Sequence, residues 1–247
     1  MLDNLNIHIA GENALIIYFC EQDGGQISAN VSATVQQVEQ LIRKAMAQSL
    51  APDIIDLVPS YASLMVMFNM MTTDHHQIRN QLLNLLQSID HHLKEQVTND
   101  EANIVELPVY YSNESGPDLS VIAQRAHLTV EQVIELHQAQ EYRVYAIGFA
   151  PGFAYLGEVD KRIAAPRLNT PRMKVPKGAV AIADRQTAIY PSVSPGGWNI
   201  IGLCPIDMFN AKATPTMPVN VGDRVRFVAI SKDEFITLGG TLKVSYE

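Results

Sequence analysis

The sequence predicts an α+β chain of two units, a small α/β sandwich followed by a β-barrel. Three observations carry this. Charge is uneven: residues 1–103 hold four basic against twelve acidic residues, whereas residues 104–247 hold fourteen of each, so the whole net charge of −8 lies in the first part. Two long helical apolar stripes alternate with β-rich runs before residue 94. From Tyr142 onward the chain offers only short β-branched runs cut by Gly and Pro. A length of 247 residues suits two ordinary domains. The polar run KEQVTNDEAN, 94–103, has almost nothing to bury. Predicted boundaries are therefore an N-terminal α+β domain over 1–95, a linker over 96–103 and a barrel domain over 104–247.

In the first unit Ala14–Phe19 is apolar and β-rich. Ile27, Val31, Val35, Val38, Leu41, Ile42, Ala45 and Met46 form one stripe on a helix over 27–48. Pro59 and Ser60 split IIDLVPSYASLMVMF into strands 54–58 and 62–68, paired as a hairpin. Asp74 caps a second helix, 75–93, with Ile78, Leu82, Leu85, Leu86, Ile89 and Leu93 as its stripe. Two helices laid on one face of such strands predict a ferredoxin-like α+β sandwich.

The second unit opens with a strand, Ile104–Tyr110, and the turn cluster SNESGPDLS. Short helices follow at about 118–126 and 130–139. Thr129 and Gln132 have the spacing of a capping box. After these no helix is expected. RVYAIGF, GAVAIAD, QTAIYP, WNIIGL, DRVRFVAI and TLKVSYE read as strands, with VGDRVRF at a barrel's closing edge.

Composition excludes several classes. An apolar fraction of 47% is that of a globular protein. No apolar run reaches the ~20 residues that span a bilayer, so no membrane partner is expected. The start lacks a signal-type block, and a cytoplasmic protein is expected. An acidic first unit repels phosphates, so no nucleic acid is expected either, and the helix pair at 118–139 lacks a basic recognition face. Cys20 and Cys204 lack CxxC spacing and read as buried thiols. The pairs His75-His76 and His91-His92 have no accompanying ligand set, and no metal is expected.

Three stretches stand apart. GFAPGFAYLG, 148–157, combines three glycines, a proline and three aromatics, a segment that bends sharply yet shows rings. KRIAAPRLNTPRMKVPK, 161–177, carries Lys161, Arg162, Arg167, Arg172, Lys174 and Lys177 with no acid. Prolines 166, 171 and 176 keep that run extended or looped. Arginines on a stiff backbone suit a carboxylate or phosphate; a solvated basic surface is the equal alternative. IYPSVSPGGWNIIG, 189–202, holds the only tryptophan, Trp198, after Pro195-Gly196-Gly197. Glycines there let backbone N–H groups approach an oxyanion, beside a flat apolar wall. A tight hairpin whose Trp caps the core fits the same residues. No Gly-Lys-Ser/Thr phosphate loop, GxSxG elbow or HExxH is present.

Taken in order, GFAPGFAYLG, PRLNTPRMKVPKGAVAIADRQTAIYP and SPGGWNIIG resemble the KipI / allophanate hydrolase subunit 1 family, which includes the B subunit of bacterial 5-oxoprolinase. GENALIIYF, NVSATVQQVEQLI, VPSYASLMVMF and LPVYYSNESGPDL extend the likeness over nearly the whole chain. The resemblance implies a cyclophilin-like β-barrel for the C-terminal domain. It implies one component, inactive alone, of an ATP-dependent complex that hydrolyses 5-oxo-L-proline to L-glutamate together with the 5-oxoprolinase C and A subunits. ATP, with Mg as counter-ion, would be shared with the partner. Other branches imply different roles: a regulator inhibiting a sensor histidine kinase, or an allophanate hydrolase or urea carboxylase-associated subunit. The chain departs from the family pattern at Ala150, Ala154 and Asp184-Arg185.

For a small cyclic amide bearing one carboxylate, the expected binding set is Pro151, Gly152, Phe153, Tyr155, Arg167, Arg172, Lys177, Tyr190, Gly196, Gly197 and Trp198. Arg167, Arg172 and Lys177 are the candidate cations for carboxylate and phosphates. The loops at 151–153 and 195–197 are the candidate N–H donors. Phe153, Tyr155, Tyr190 and Trp198 are the candidate ring walls. No residue reads as a general base, so the catalytic residues stay unassigned.

Overall fold

The structure is a computed structural model; it describes residues 6–19, 29–93 and 104–242. The chain forms two compact units, Met1–Glu101 and Ala102–Glu247. Among the described residues no helix is long and apolar enough to cross a membrane.

The first unit runs β1 (Asn6–Ile9), β2 (Ala14–Tyr18), α1 (Ala29–Ala47), β3 (Ile54–Ser60), β4 (Ser63–Phe68) and α2 (His75–Leu93). Its sheet order is β1-β2-β4-β3, antiparallel at every pairing. Strands β2 and β3 therefore run parallel with β4 between them, and α1 makes the crossover. Alternation builds the core: Leu64, Val66 and Phe68 of β4 point inward, onto Val35, Val38 and Ile42 of α1 and Ile78, Leu82 and Leu86 of α2. Asp74 caps α2 by accepting from the N–H groups of His76 (2.8 Å) and Gln77 (2.9 Å).

Two expectations here need correction. Pro59 does not end its strand; it pairs with Leu64 inside β3, and the turn falls after Ser60. Because β3 is an edge strand, the missing N–H of proline is tolerated. Strand β1 is an addition to the expected elements; its four residues are too few for a periodic signal. Cys20, Ile27 and the linker at 96–103 lie outside the described residues, as do the side chains of Ile89, His91, His92 and Leu93.

The second unit contains β5 (Ile104–Val109), α3 (Leu119–Ala126), α4 (Val130–Gln138), β6 (Tyr142–Ile147), β7 (Ala154–Gly157), β8 (Arg172–Val175), β9 (Ala179–Ala183), β10 (Gln186–Ile189), β11 (Ser194–Gly196), β12 (Asn199–Leu203), β13 (Arg224–Ala229) and α5 (Lys232–Thr237). Seven strands form one sheet in the order β12-β9-β10-β7-β6-β13-β5. Its two edges meet where Tyr110 and Leu203 exchange backbone hydrogen bonds of 2.8 and 3.0 Å. The sheet is thus nearly closed on itself, which removes the exposed edges that an open sheet carries. Strands β8 and β11 form a separate ribbon.

Leu107, Val109, Tyr142, Val144, Leu156, Val180, Ile182, Ile201, Val225 and Phe227 fill the main core with Leu119, Ile122 and Val133 of the helices. His137 is buried among them, its ring bonded to the Tyr111 hydroxyl (2.8 Å) and the Thr187 hydroxyl (3.0 Å) and stacked on Phe227. Burial pushes this imidazole down to about 3, so it is neutral. The Thr129/Gln132 capping box is present.

The structure alters the expected barrel in three places. Strand β13 is not at a closing edge: it lies between β6 and β5, parallel to β5. Helix α5 follows it, started by a capping box in which Ser231 and Glu234 bond reciprocally. At Thr241 and Leu242 there is no strand, and residues 243–247 lie outside the described region.

Candidate functional site

GFAPGFAYLG is the loop between β6 and β7 together with β7 itself. The Phe153 N–H donates to the Ala150 carbonyl at 2.9 Å, with Pro151 and Gly152 between them and Gly152 at φ +83°. This is a type II turn, which places proline second and glycine third. Gly152 is required twice over, because a Cβ there would also stand 2.8 Å from the Met208 carbonyl carbon. Gly148, by contrast, has open space and no left-handed φ. The left-handed residue is Phe149, at φ +71° and 66% exposed. A bulky side chain in that region carries strain of order 1–3 kcal/mol.

The turn drives Phe153 inward, where its ring meets four others edge-on: Phe149 (5.3 Å), Tyr155 (4.9 Å), Tyr190 (5.2 Å) and Trp198 (5.7 Å between centroids). Such edge contacts suit the ring quadrupoles. Room for these rings comes from β9 and β10, whose Ala179, Ala181, Ala183 and Ala188 pack against the same cluster. Trp198 is buried, so it both caps this smaller core and walls the cleft beside it.

Gly196 makes the close approach to Tyr190: a Cβ at 196 would overlap the phenol, with ring carbons at 2.9 Å. The Cβ of Gly197 would meet its neighbours only at ordinary distances of 3.6–3.7 Å. Burial pushes the Tyr190 phenol up to about 12, against the opposing pull of the Trp198 backbone N–H and of Arg167. Tyr190 is therefore a neutral hydroxyl at working pH.

The basic run does not stay together as one cluster. Arg162 pairs with Asp160 (2.8 Å), Arg172 with Asp118 (2.8 Å) and Lys177 with Asp207 (2.5 Å). Each acid is distant from its cation in sequence or hidden just outside the run, so counting charges along the run overstates its field. Arg167 instead lies over Trp198, its guanidinium carbon 5.8 Å from the ring.

Phe149, Phe153, Tyr155, Arg167, Tyr190, Pro195, Gly196, Gly197 and Trp198 line one open cleft. Seven of the expected residues thus meet in one place: Phe153, Tyr155, Arg167, Tyr190, Gly196, Gly197 and Trp198. Pro151, Gly152, Arg172 and Lys177 do not line it; the first two shape the turn and the last two are held by acids. Phe149 is an addition that sequence reasoning misses, and Pro195 of the expected 195–197 loop joins the lining. The signal for Phe149 is an aromatic between glycine and a turn, with no strand of its own to bury it.

Among the described residues the lining has one formal charge, Arg167, and contains no carboxylate, histidine, lysine, cysteine, serine or threonine. It can bind a small ring between π faces and take one anionic group, but it holds no general base or nucleophile. Nor does it fit a triphosphate, for which one cation is too few. Cys204 is no substitute nucleophile: it is buried, and burial pushes its thiol up to about 12.

The family model described as "Carboxyltransferase domain, subdomain C and D" matches residues 5–219. The chain is 37% identical over 230 residues to the 5-oxoprolinase B subunit of Bacillus subtilis (strain 168), covering 91% of this chain and 92% of that one. It is 37% identical over 197 residues to the protein of the same name from Haemophilus influenzae, covering 79% and 89%. The crystal structure of TTHA0988 superposes with TM-score 0.72 at 32% identity; 89% of this chain is covered, and the chain spans 40% of that longer protein. A conserved uncharacterized protein, PH0987 from Pyrococcus horikoshii, is 39% identical with TM-score 0.53, covering 93% of this chain and all of that one. The K. lactis urea amidolyase shares the fold, with TM-score 0.67 at 14% identity over 94% of this chain and 15% of that one. Matches of this extent leave one assignment: the chain belongs to the carboxyltransferase subdomain C and D family, among the B subunits of 5-oxoprolinase.

Proposed function

We propose that this chain is the B subunit of an ATP-dependent 5-oxoprolinase, and that its aromatic cleft receives the five-membered ring of 5-oxo-L-proline. The observation that carries the site is the convergence of three separate stretches on one cleft whose single charge is Arg167. The relatives' shared name supports the substrate. In this reading Arg167 takes the carboxylate by charge-assisted hydrogen bonds. Phe153, Tyr155 and Trp198 pack the ring and exclude water, and Tyr190 keeps the Gly196 wall in place.

Opening a stable lactam to glutamate needs activation of its oxygen and a base for water, and the lining supplies neither. The C and A subunits would therefore complete the chemistry, with ATP and its Mg on the partner side, and this chain would be inactive alone. Phe149 of the lining is 66% exposed, and Met173 in β8 and Val193 just before β11 are 73 and 63% exposed, which supports a protein partner on this unit. We further assign domains 1–95 and 104–247. In the first, the sheet order β1-β2-β4-β3 supports reading a ferredoxin-like sandwich whose last strand has moved to the front as β1. The second is a cyclophilin-like barrel. A cytoplasmic location fits an ATP-dependent step on a free metabolite.

The test is reconstitution with the A and C subunits, following glutamate released from 5-oxoproline with and without ATP. ATP-dependent release that disappears when this chain is omitted is the expected result. Release that proceeds equally without this chain refutes the proposal.

A further inference from the structure

We propose that Asp118 and Arg172 are positioning residues, a buried brace that holds the Pro195–Trp198 wall and the Arg167 segment in the geometry that receives the substrate. This rests on the reading of the cleft as the substrate site. Neither residue lines the cleft, and both side chains are largely buried, 10% and 17% exposed.

Asp118 sits at the N-cap of α3, where an aspartate ordinarily accepts from the free N–H groups of the first turn. Here it makes no such bond. One oxygen accepts from Arg172 Nη2 at 2.8 Å, and the other from the Ile200 N–H at 2.7 Å. Its own N–H donates to the Ile200 carbonyl at 3.0 Å. Arg172 stands directly opposite Gly196 in the β8–β11 ribbon, and Ile200 follows Trp198 by two residues. One carboxylate thus grips the wall at both ends. Gly116 makes this reach possible, since any Cβ there would meet the Ile201 backbone, with its Cα at 2.7 Å.

The same wall holds Arg167. The Leu168 N–H donates to the Gly197 carbonyl at 2.7 Å, and the Asn199 side chain donates to the Pro166 carbonyl at 2.8 Å. Arg167 is therefore flanked on both sides by bonds to the braced segment. Arg172 Nη1 is buried with no partner among the described residues. A buried ion pair with an unmet donor is a poor stabiliser compared with apolar packing. Its distinctive contribution is direction: it fixes where the wall stands.

Trp198 is the chain's only tryptophan and belongs to that wall, so its fluorescence reports the brace without reference to activity. Acrylamide quenching of Trp198 is measured in the wild type, Arg172→Met, Arg172→Lys and the double variant Asp118→Asn/Arg172→Met, each checked for a cooperative melt. Kinetics for 5-oxoproline are measured in the reconstituted complex. Quenching should rise about twofold or more in the folded Met variants, as local opening exposes a packed ring. KM should rise about tenfold or more with a smaller change in kcat, and Arg172→Lys should recover part of both. If Arg172→Met fails to fold, the double variant, which leaves no lone buried charge, carries the same comparison. Unchanged quenching in a folded variant overturns the brace. Raised quenching with an unmoved KM supports the brace and refutes the substrate reading of the cleft.

Discussion

Replacing Gly196 by alanine tests the cleft at its tightest point. The new methyl would overlap the Tyr190 phenol, with two ring carbons at 2.9 Å. An exposed tyrosine would swing aside at little cost. Tyr190 is 2% exposed, its ring is set edge-on against Phe153 at 5.2 Å, and its backbone is bonded to Gly178 and Ala179. Two costs follow. Overpacking a filled core costs about 1–3 kcal/mol. Displacing the phenol also removes the partner of the Trp198 N–H, about 1–3 kcal/mol if that group stays buried. The sum is roughly 2–6 kcal/mol, a drop in Tm of order 10 °C for a unit of this size. Gly197→Ala is the control, since its methyl would meet Leu168 and Pro171 only at 3.6–3.7 Å. Thermal melts followed by circular dichroism and Trp198 emission give the comparison. The reasoning fails if Gly196→Ala melts with the wild type, or if the two alanine variants lose equal stability.

Two further outcomes are expected. Arg167→Ala should leave the melt nearly unchanged, because the side chain is exposed; in the complex, on the proposed reading of the cleft, it should raise KM for 5-oxoproline by about ten- to a hundredfold, the worth of a charge-assisted bond of about 1.5–3 kcal/mol. Steady-state kinetics check it, and an unaltered KM removes Arg167 from the site. His137 has a folded value lowered from 6.5 to about 3, so the unfolded chain takes up the proton first. Its contribution is complete above pH 6.5 and is lost as pH falls toward 3, at about 1.4 kcal/mol per pH unit. An NMR titration in which the His137 ring protonates between pH 5 and 8 in the folded protein contradicts this.

Much of the fold is legible in the chain because its signals are local. The stripe at Ile78, Leu82 and Leu86 repeats with the helical period and is buried as one face. Asp74 and Thr129 announce their helices by capping chemistry within three residues. The cleft is legible for the same reason: turn residues and rings recur in three stretches, and seven of eleven expected residues line it. Helix α5 carries its own capping signal in Ser231 and Glu234, but its six residues lie in a region of strand signals that mask it.

What the chain order cannot express are pairings between distant segments. The two edges of the nearly closed sheet meet at Tyr110 and Leu203, ninety-three positions apart, so the seam lies there and not at β13. The six cations of 161–177 look like one cluster in a linear count, yet Asp118 takes Arg172 and Asp207 takes Lys177. Coulomb attraction acts through space and depends on which acids the fold brings near. The sequence by itself determined which segments bend, which faces are apolar and which rings stand beside turns, since these follow from steric and hydrophobic properties of neighbouring residues. Only the tertiary structure decided which arginine faces the cleft and which one braces it, because that choice rests on contacts between segments far apart in the chain.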